Sequence, residues 1–178
     1  MAITLDDIKQ AAVEYFAKFD SFASQNGLID LKPTTIGWKT TDISEFNATL
    51  SGYLADSSVT QCHIGFVDQR YIASIVFKEP IYTNVRILKL MQRRPNSTDP
   101  VGLDHADFAV DNLGQIEALL KKNPALKWSH ESNEVHGWIS VWFNDTEAKF
   151  VDHLVLDVGV KELQDITKEL GFEPKKVA

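Results

Sequence analysis

One short segment offers the residues best placed to do chemistry. In Gly102-Leu103-Asp104-His105-Ala106-Asp107-Phe108-Ala109-Val110, a strand would put His105, Asp107 and Ala109 on one face and Ala106, Phe108 and Val110 on the other. The apolar face should meet a helix, which turns a histidine and an aspartate toward the open side. Such a pair can serve as a general base with an orienting carboxylate, as half of a metal site, or as a polar anchor for a ligand. A hydrogen-bonded pair that only solvates a wet groove is an equal alternative. A second strand, residues 34–40, places Thr35, Gly37 and Lys39 on a matching face. Lys39 is expected to form a salt bridge with Asp107, or else to hold a carboxylate substrate.

Other candidates carry less. His130, Glu131, Glu134 and His136 surround a Ser132-Asn133 turn, but their spacing differs from the helical H-E-x-x-H zinc motif. They read as an exposed polar hairpin tip. His63 beside Cys62 reads as structural, and Cys62 has no neighbouring base to activate it. Trp138 and Trp142 share a strand face and could wall a ring-bearing ligand; packing against a helix is the preferred reading. Arg93-Arg94 reads as solvated linker. Phosphate loops, dinucleotide fingerprints and G-x-S-x-G elbows do not occur.

The elements that must position these residues follow from pattern. Leu5, Ile8, Ala12, Tyr15, Phe16, Phe19, Phe22 and Ala23 form one stripe of a helix, with Thr4 and Asp7 as a capping pair and Asn26-Gly27 as the stop. A strand at 34–40 precedes a helix from Asp42, with Ile43, Phe46, Leu50 and Tyr53 on one side. Strands follow at 59–66, 71–77 and 85–91. Residues 93–100 have linker chemistry. The order then restarts with a strand at 101–110, a helix at 112–122, strands at 126–131, 135–143 and 148–156, and a helix through Val160, Leu163, Ile166 and Leu170.

An offset of 70 residues aligns the two halves, bringing Trp38 onto Phe108, Ile43 onto Leu113, Phe46 onto Ile116 and Leu50 onto Leu120. The expected fold is α+β: tandem βαβββ modules in one open, cupped eight-stranded sheet with flanking terminal helices. The boundaries are 1–31 for the first helix, 32–93 and 101–158 for the modules, 94–100 for the linker and 159–178 for the last helix and tail. Each module can bury only its helix-covered face, so the pair encloses a cleft that needs a ligand or a partner.

Charge bounds the partners. The 178 residues carry a net charge of −7, which argues against a nucleic-acid binder. Residues 101–158 hold −6 of it, whereas residues 32–100 carry +2. A lone cysteine forms no internal disulfide, and neither a signal peptide nor a membrane span is evident. A cytoplasmic protein with a small-molecule ligand, no nucleic acid and no membrane is expected, with a homodimer as its oligomeric partner.

Tandem βαβββ units with a DH pair opening a strand resemble the vicinal oxygen chelate superfamily of glyoxalases and extradiol dioxygenases. Gln69-Arg70-Tyr71-Ile72, Lys78-Glu79-Pro80 and the flanking helices resemble its uncharacterised bacterial YecM-like group. The resemblance spans roughly residues 32–163. It implies one divalent metal (Zn, Mn, Ni or Fe) held by the first and last strands of each module, and lyase, isomerase or dioxygenase chemistry. His105 matches a first-strand ligand, and His153 is its partner from the last strand, with Asp152 and Asp157 as alternatives. Thr35 takes the equivalent place in the first module, and its last strand offers only Met91 or Gln92. The reading is therefore a cleft lined by Thr35, Lys39, Gln92, His105 and Asp107 that binds a small polar or anionic ligand beside an incomplete metal site. A metal-dependent enzyme and a non-catalytic dimerisation domain are the alternatives.

Overall fold

The computed structural model describes residues 2–110, 112–132, 136–143 and 153–171. Helix α1 (Leu5–Asn26) starts at a capping box, in which Thr4 and Asp7 satisfy each other's backbone amides, and ends at Gly27, whose φ of 66° is the left-handed stop glycine provides. Strand β1 (Lys32–Thr40) leads to helix α2 (Ile43–Leu54), which Asp42 caps through the Glu45 amide. Strands β2 (Val59–Val67), β3 (Arg70–Phe77) and β4 (Ile87–Gln92) complete the first half. The second half repeats the order: β5 (Gly102–Ala109), α3 (Gly114–Lys122), β6 (Trp128–Ser132), β7 (His136–Trp142) and β8 (His153–Gly159), then helix α4 (Val160–Glu169).

All eight strands form one open sheet in the order β2-β3-β4-β1-β5-β8-β7-β6. Within each half the first strand runs parallel to the last, β1 with β4 and β5 with β8. The halves join through the antiparallel seam of β1 and β5. This is the expected α+β architecture, with its sheet unclosed.

The helices cover one face. Phe108 meets Phe19 of α1 at 4.5 Å between ring centroids, and Phe77 meets Tyr53 of α2 at 5.5 Å. The phenol oxygen of Tyr15 accepts the Ala106 amide at 3.1 Å, tying α1 to the seam. Ile36, Leu88, Ile75, Ile139 and Leu156 fill the same side, each fully buried. The opposite, concave face carries the alternate residues of every strand.

Two expectations about side chains need correction. His130 is buried, not on an exposed tip: it pairs in register with Ile139 on the helix-covered face, 5.5 Å from the Trp128 ring. Glu134 lies outside the described residues, as does the His136 side chain. Trp138 and Trp142 do not pack under a helix either. Their neighbours Ile139 and Val141 take that face, which leaves both indoles half-buried on the concave side. None of the described helices is long and apolar enough to cross a membrane.

Candidate functional site

The site forms at the seam, where β1 and β5 pair Thr35 with Asp107 and Gly37 with His105. The register then slips, so that Trp38 pairs with Leu103 and Asp104 is an extra residue on β5. A β-bulge of this kind puts two consecutive side chains on one side of the strand. Strict alternation would send Asp104 under the helices; the bulge brings it to the concave face next to His105.

The His105 ring lies flat on Gly37. A Cβ at that glycine would sit 2.6 Å from Cε1 and 2.7 Å from Nε2 of the ring. Both ring nitrogens face carboxylates, Nδ1 at 2.9 Å from Asp104 Oδ2 and Nε2 at 3.4 Å from Asp107 Oδ1. The longer separation is an ionic contact, and Oδ1 has no hydrogen bond of ordinary geometry. The outer carboxylate oxygens meet lysines: Asp104 Oδ1 takes Lys39 Nζ at 2.8 Å and Asp107 Oδ2 takes Lys89 Nζ at 2.6 Å. Beyond Lys39 the alternation continues to Asp99 at 3.6 Å, which lies 3.9 Å from Arg94, and Arg94 pairs with Asp68.

Charge alternation sets the protonation. Burial works against a charged imidazole, but the Asp104 hydrogen bond and the close carboxylates of Asp104 and Asp107 outweigh it and raise the pKa of His105. Burial would likewise raise Asp107; the facing imidazolium and the Lys89 ammonium instead hold it down at about 2. The two carboxylates thus favour the protonated form of His105.

Among the described residues, that arrangement offers no free lone pair of His105 to a metal. A ligating imidazole must be neutral and must direct a lone pair at the ion, whereas both nitrogens of His105 are engaged by carboxylates. Among the described residues no group of three His, Cys, Asp or Glu side chains could hold an ion. The backbone register sets His153 beside His105; the side chains of His153 and Asp157, and the whole of Asp152, lie outside the described residues.

Of the expected cleft residues, Lys39, His105 and Asp107 come together, and Thr35 sits buried beside Asp107. Gln92 does not join them. It follows Met91, which pairs with Lys39, and its side-chain oxygen accepts the Tyr71 amide at 3.3 Å. The Lys39 salt bridge forms with Asp104 instead of Asp107, because the bulge brings Asp104 forward and Lys89 takes Asp107. Arg94 is exposed in the linker, as expected, and there pairs with Asp68. Pattern reading missed Asp104 and Lys89. Alternation hid the first, whereas the polar residue inside Ile87-Leu88-Lys89-Leu90-Met91 was a signal for the second. A shallow depression of about 470 Å³ lies elsewhere, between α1 and Phe143, and shares no residue with this network.

No known family model matches the sequence, and no curated protein does. Solved structures do match. A structural-genomics protein, EC4020, is similar over 95% of this chain and 98% of its own, with 12% identity and a TM-score of 0.66. Methylmalonyl-CoA epimerase from Mycobacterium tuberculosis matches 75% of this chain and 91% of its own, at 11% identity and a TM-score of 0.50. A V278E mutant of glyoxalase I from Zea mays matches 78% of this chain at 14% identity and a TM-score of 0.50; this chain spans 56% of its length. The likeness establishes a glyoxalase-like fold, shared with vicinal oxygen chelate enzymes.

Proposed function

We propose that this protein binds a small polar or anionic ligand on its concave face, without a metal ion at His105. The observation that carries the reading is the double engagement of the His105 ring by Asp104 and Asp107. With both ring nitrogens turned to carboxylates, the residue that would ligate a metal is instead part of a charge lattice. A fold has no structural need to bury such a lattice where its sheet opens, and replacing buried ion pairs by apolar residues is often neutral or stabilising. Two indoles on the same face, Trp138 and Trp142, supply stacking surface for the rest of a ligand.

Grouping with the YecM-like proteins is part of this proposal, supported by flanking helices at both ends. A cytoplasmic setting is likewise proposed, on the strength of the lone cysteine, and a bacterial one goes with the YecM-like grouping.

The test combines tryptophan fluorescence with a panel of small carboxylic, phosphorylated and neutral polar compounds. The reading expects a saturable change with at least one compound, lost in His105→Ala, and no rise in melting temperature with Zn, Mn, Ni or Fe salts. A stoichiometric metal that raises the melting temperature and is lost in His105→Ala would overturn it and restore the metalloenzyme alternative. A panel with no binder would also sink it.

A further inference from the structure

Among the described residues, the ion pairs at the site leave Arg70 over. From Asp68 through Arg94, Asp99, Lys39, Asp104, His105 and Asp107 to Lys89, carboxylates and cations alternate, each within 4 Å of the next. Four negative groups balance four positive ones. Arg70 lies in the same region and belongs to none of these pairs. Among the described residues its Nε is buried without a hydrogen-bond acceptor. Buried donors are almost always paired, so an orphan of this kind calls for an explanation.

The fold places Arg70 with some care. It opens β3 directly after a two-residue turn, Asp68 and Gln69, whose φ values of 52° and 61° are both left-handed. Ile72, two residues on, pairs with Met91, and Met91 pairs with Lys39. Ala73, Ile75 and Phe77 are buried on the helix-covered side. By alternation Arg70 therefore stands with Ile72 and Ser74 on the concave face, at its Lys39 end. The carboxylates that could have neutralised it are taken: Asp68 is held by Arg94, Asp99 is shared by Arg94 and Lys39, and Asp104 is shared by Lys39 and His105.

We propose that Arg70 is an oxyanion subsite, a guanidinium fork left open at the Lys39 end of the concave face to take the carboxylate or phosphate of a ligand. This rests on the ligand-binding reading above and names the group that anchors the ligand. Its five N–H donors in a fixed plane suit two-point recognition of either anion, which an ammonium cannot reproduce. Burial, followed by the nearby Arg94, disfavours the charge of Arg70, and Asp104, Asp68 and Asp99 offset this only from a distance. A guanidinium keeps its charge under such conditions, so an incoming anion would relieve a cost that the fold already bears.

The experiment titrates the full-length protein with two probes, acetate and inorganic phosphate, following the side-chain Nε–H signals of arginine by NMR. Arg70→Lys and Arg70→Met serve as comparisons, and the signal that both remove identifies Arg70. The expected result is a saturable shift of that signal by at least one probe. Read in all three proteins from backbone amide shifts around position 70, affinity should drop about tenfold or more in Arg70→Met, the loss of a charge-assisted hydrogen bond, and by less in Arg70→Lys. Acetate acting alone assigns the subsite to carboxylates, and phosphate acting alone assigns it to phosphorylated ligands. Equal affinity in wild type and Arg70→Met overturns the inference, as does a wild-type signal unmoved by either probe. Should the compound panel still bind with loss in His105→Ala, only the Arg70 assignment falls; should the panel also fail, both do.

Discussion

Replacing Gly37 with alanine tests the central contact of the site. Gly37 has no backbone reason to be glycine, since its φ lies outside the left-handed region. At such a position Gly→Ala ordinarily stabilises by about 0.4–1 kcal/mol, through the unfolded chain. Here the new methyl would lie 2.6, 2.7 and 2.9 Å from three atoms of the His105 ring, so something must move by roughly half an ångström or more to reach ordinary contact. The ring cannot easily give way. It is 6% exposed and held on both sides by Asp104 and Asp107. Overpacking costs about 1–3 kcal/mol, and loosening a hydrogen bond between charged groups costs about 1.5–3 kcal/mol. Partly offset by the chain-entropy gain, these give a net loss of about 2–4 kcal/mol, or roughly 5–15 °C in melting temperature for a chain of this size. Urea unfolding of wild type, Gly37→Ala, His105→Ala and the double variant measures it. With the ring gone, Gly37→Ala should become neutral or mildly stabilising. An equal cost in both backgrounds would refute the stacking argument, as would a Gly37→Ala protein as stable as wild type.

Three further outcomes follow from the same geometry. The raised pKa of His105 contributes stability that is complete below its unfolded value of 6.5 and is lost as pH rises through the folded pKa; the lowered pKa of Asp107, about 2, contributes stability that is complete above 3.8 and is lost as pH falls toward 2. Urea midpoints should therefore form a plateau between pH 4 and 6.5, with an acid limb of about 2 kcal/mol removed by Asp107→Asn and an alkaline limb removed by His105→Gln. Lys39→Met should cost about 3 kcal/mol in chemical denaturation, because Asp104 would keep a buried charge (its side chain is 8% exposed) with its lysine gone, and adding Asp104→Leu should recover part of that loss. Tyr15→Phe should cost about 1–2 kcal/mol and speed hydrogen exchange at the Ala106 amide, whose acceptor is the Tyr15 hydroxyl.

What was legible in the sequence was whatever depends on periodicity. The stripe from Leu5 to Ala23, its Thr4–Asp7 cap and its Gly27 stop carried α1 in full, and the 70-residue offset carried the βαβββ order of both halves. His105 and Asp107 stood out because polar residues in mid-strand break an apolar pattern. Alternation failed where the backbone leaves its period. The bulge at Asp104 is one extra residue, and nothing in Leu103-Asp104-His105 marks it, so the carboxylate that fixes His105 went unseen and Lys39 was matched to Asp107. Trp138 and Trp142 failed for another reason. Parity showed that they share a face, but hydrophobicity suggested the helix-covered side, while the smaller Ile139 and Val141 occupy it.

The seam also explains why the two halves are chemically unequal. The pairs Thr35–Asp107 and Gly37–His105 exchange with each other under the same 70-residue offset that relates the modules, so a pseudo-twofold axis runs between them. Under it His105 corresponds to Thr35, and Asp107 to Gly37. The second module supplies an imidazole and a carboxylate, and the first supplies the space into which they fit. A ring lying on the glycine across the seam requires that inequality, because any side chain at Gly37 would compete for the same volume. The charge imbalance along the chain has the same origin. Lys39 and Lys89 come from the basic half, Asp104 and Asp107 from the acidic half, and their ion pairs cross the seam or the strand beside it. Symmetric side chains in both modules and this interlocked lattice are therefore alternatives, since a counterpart of Asp107 built at position 37 would expel the ring that the lattice holds.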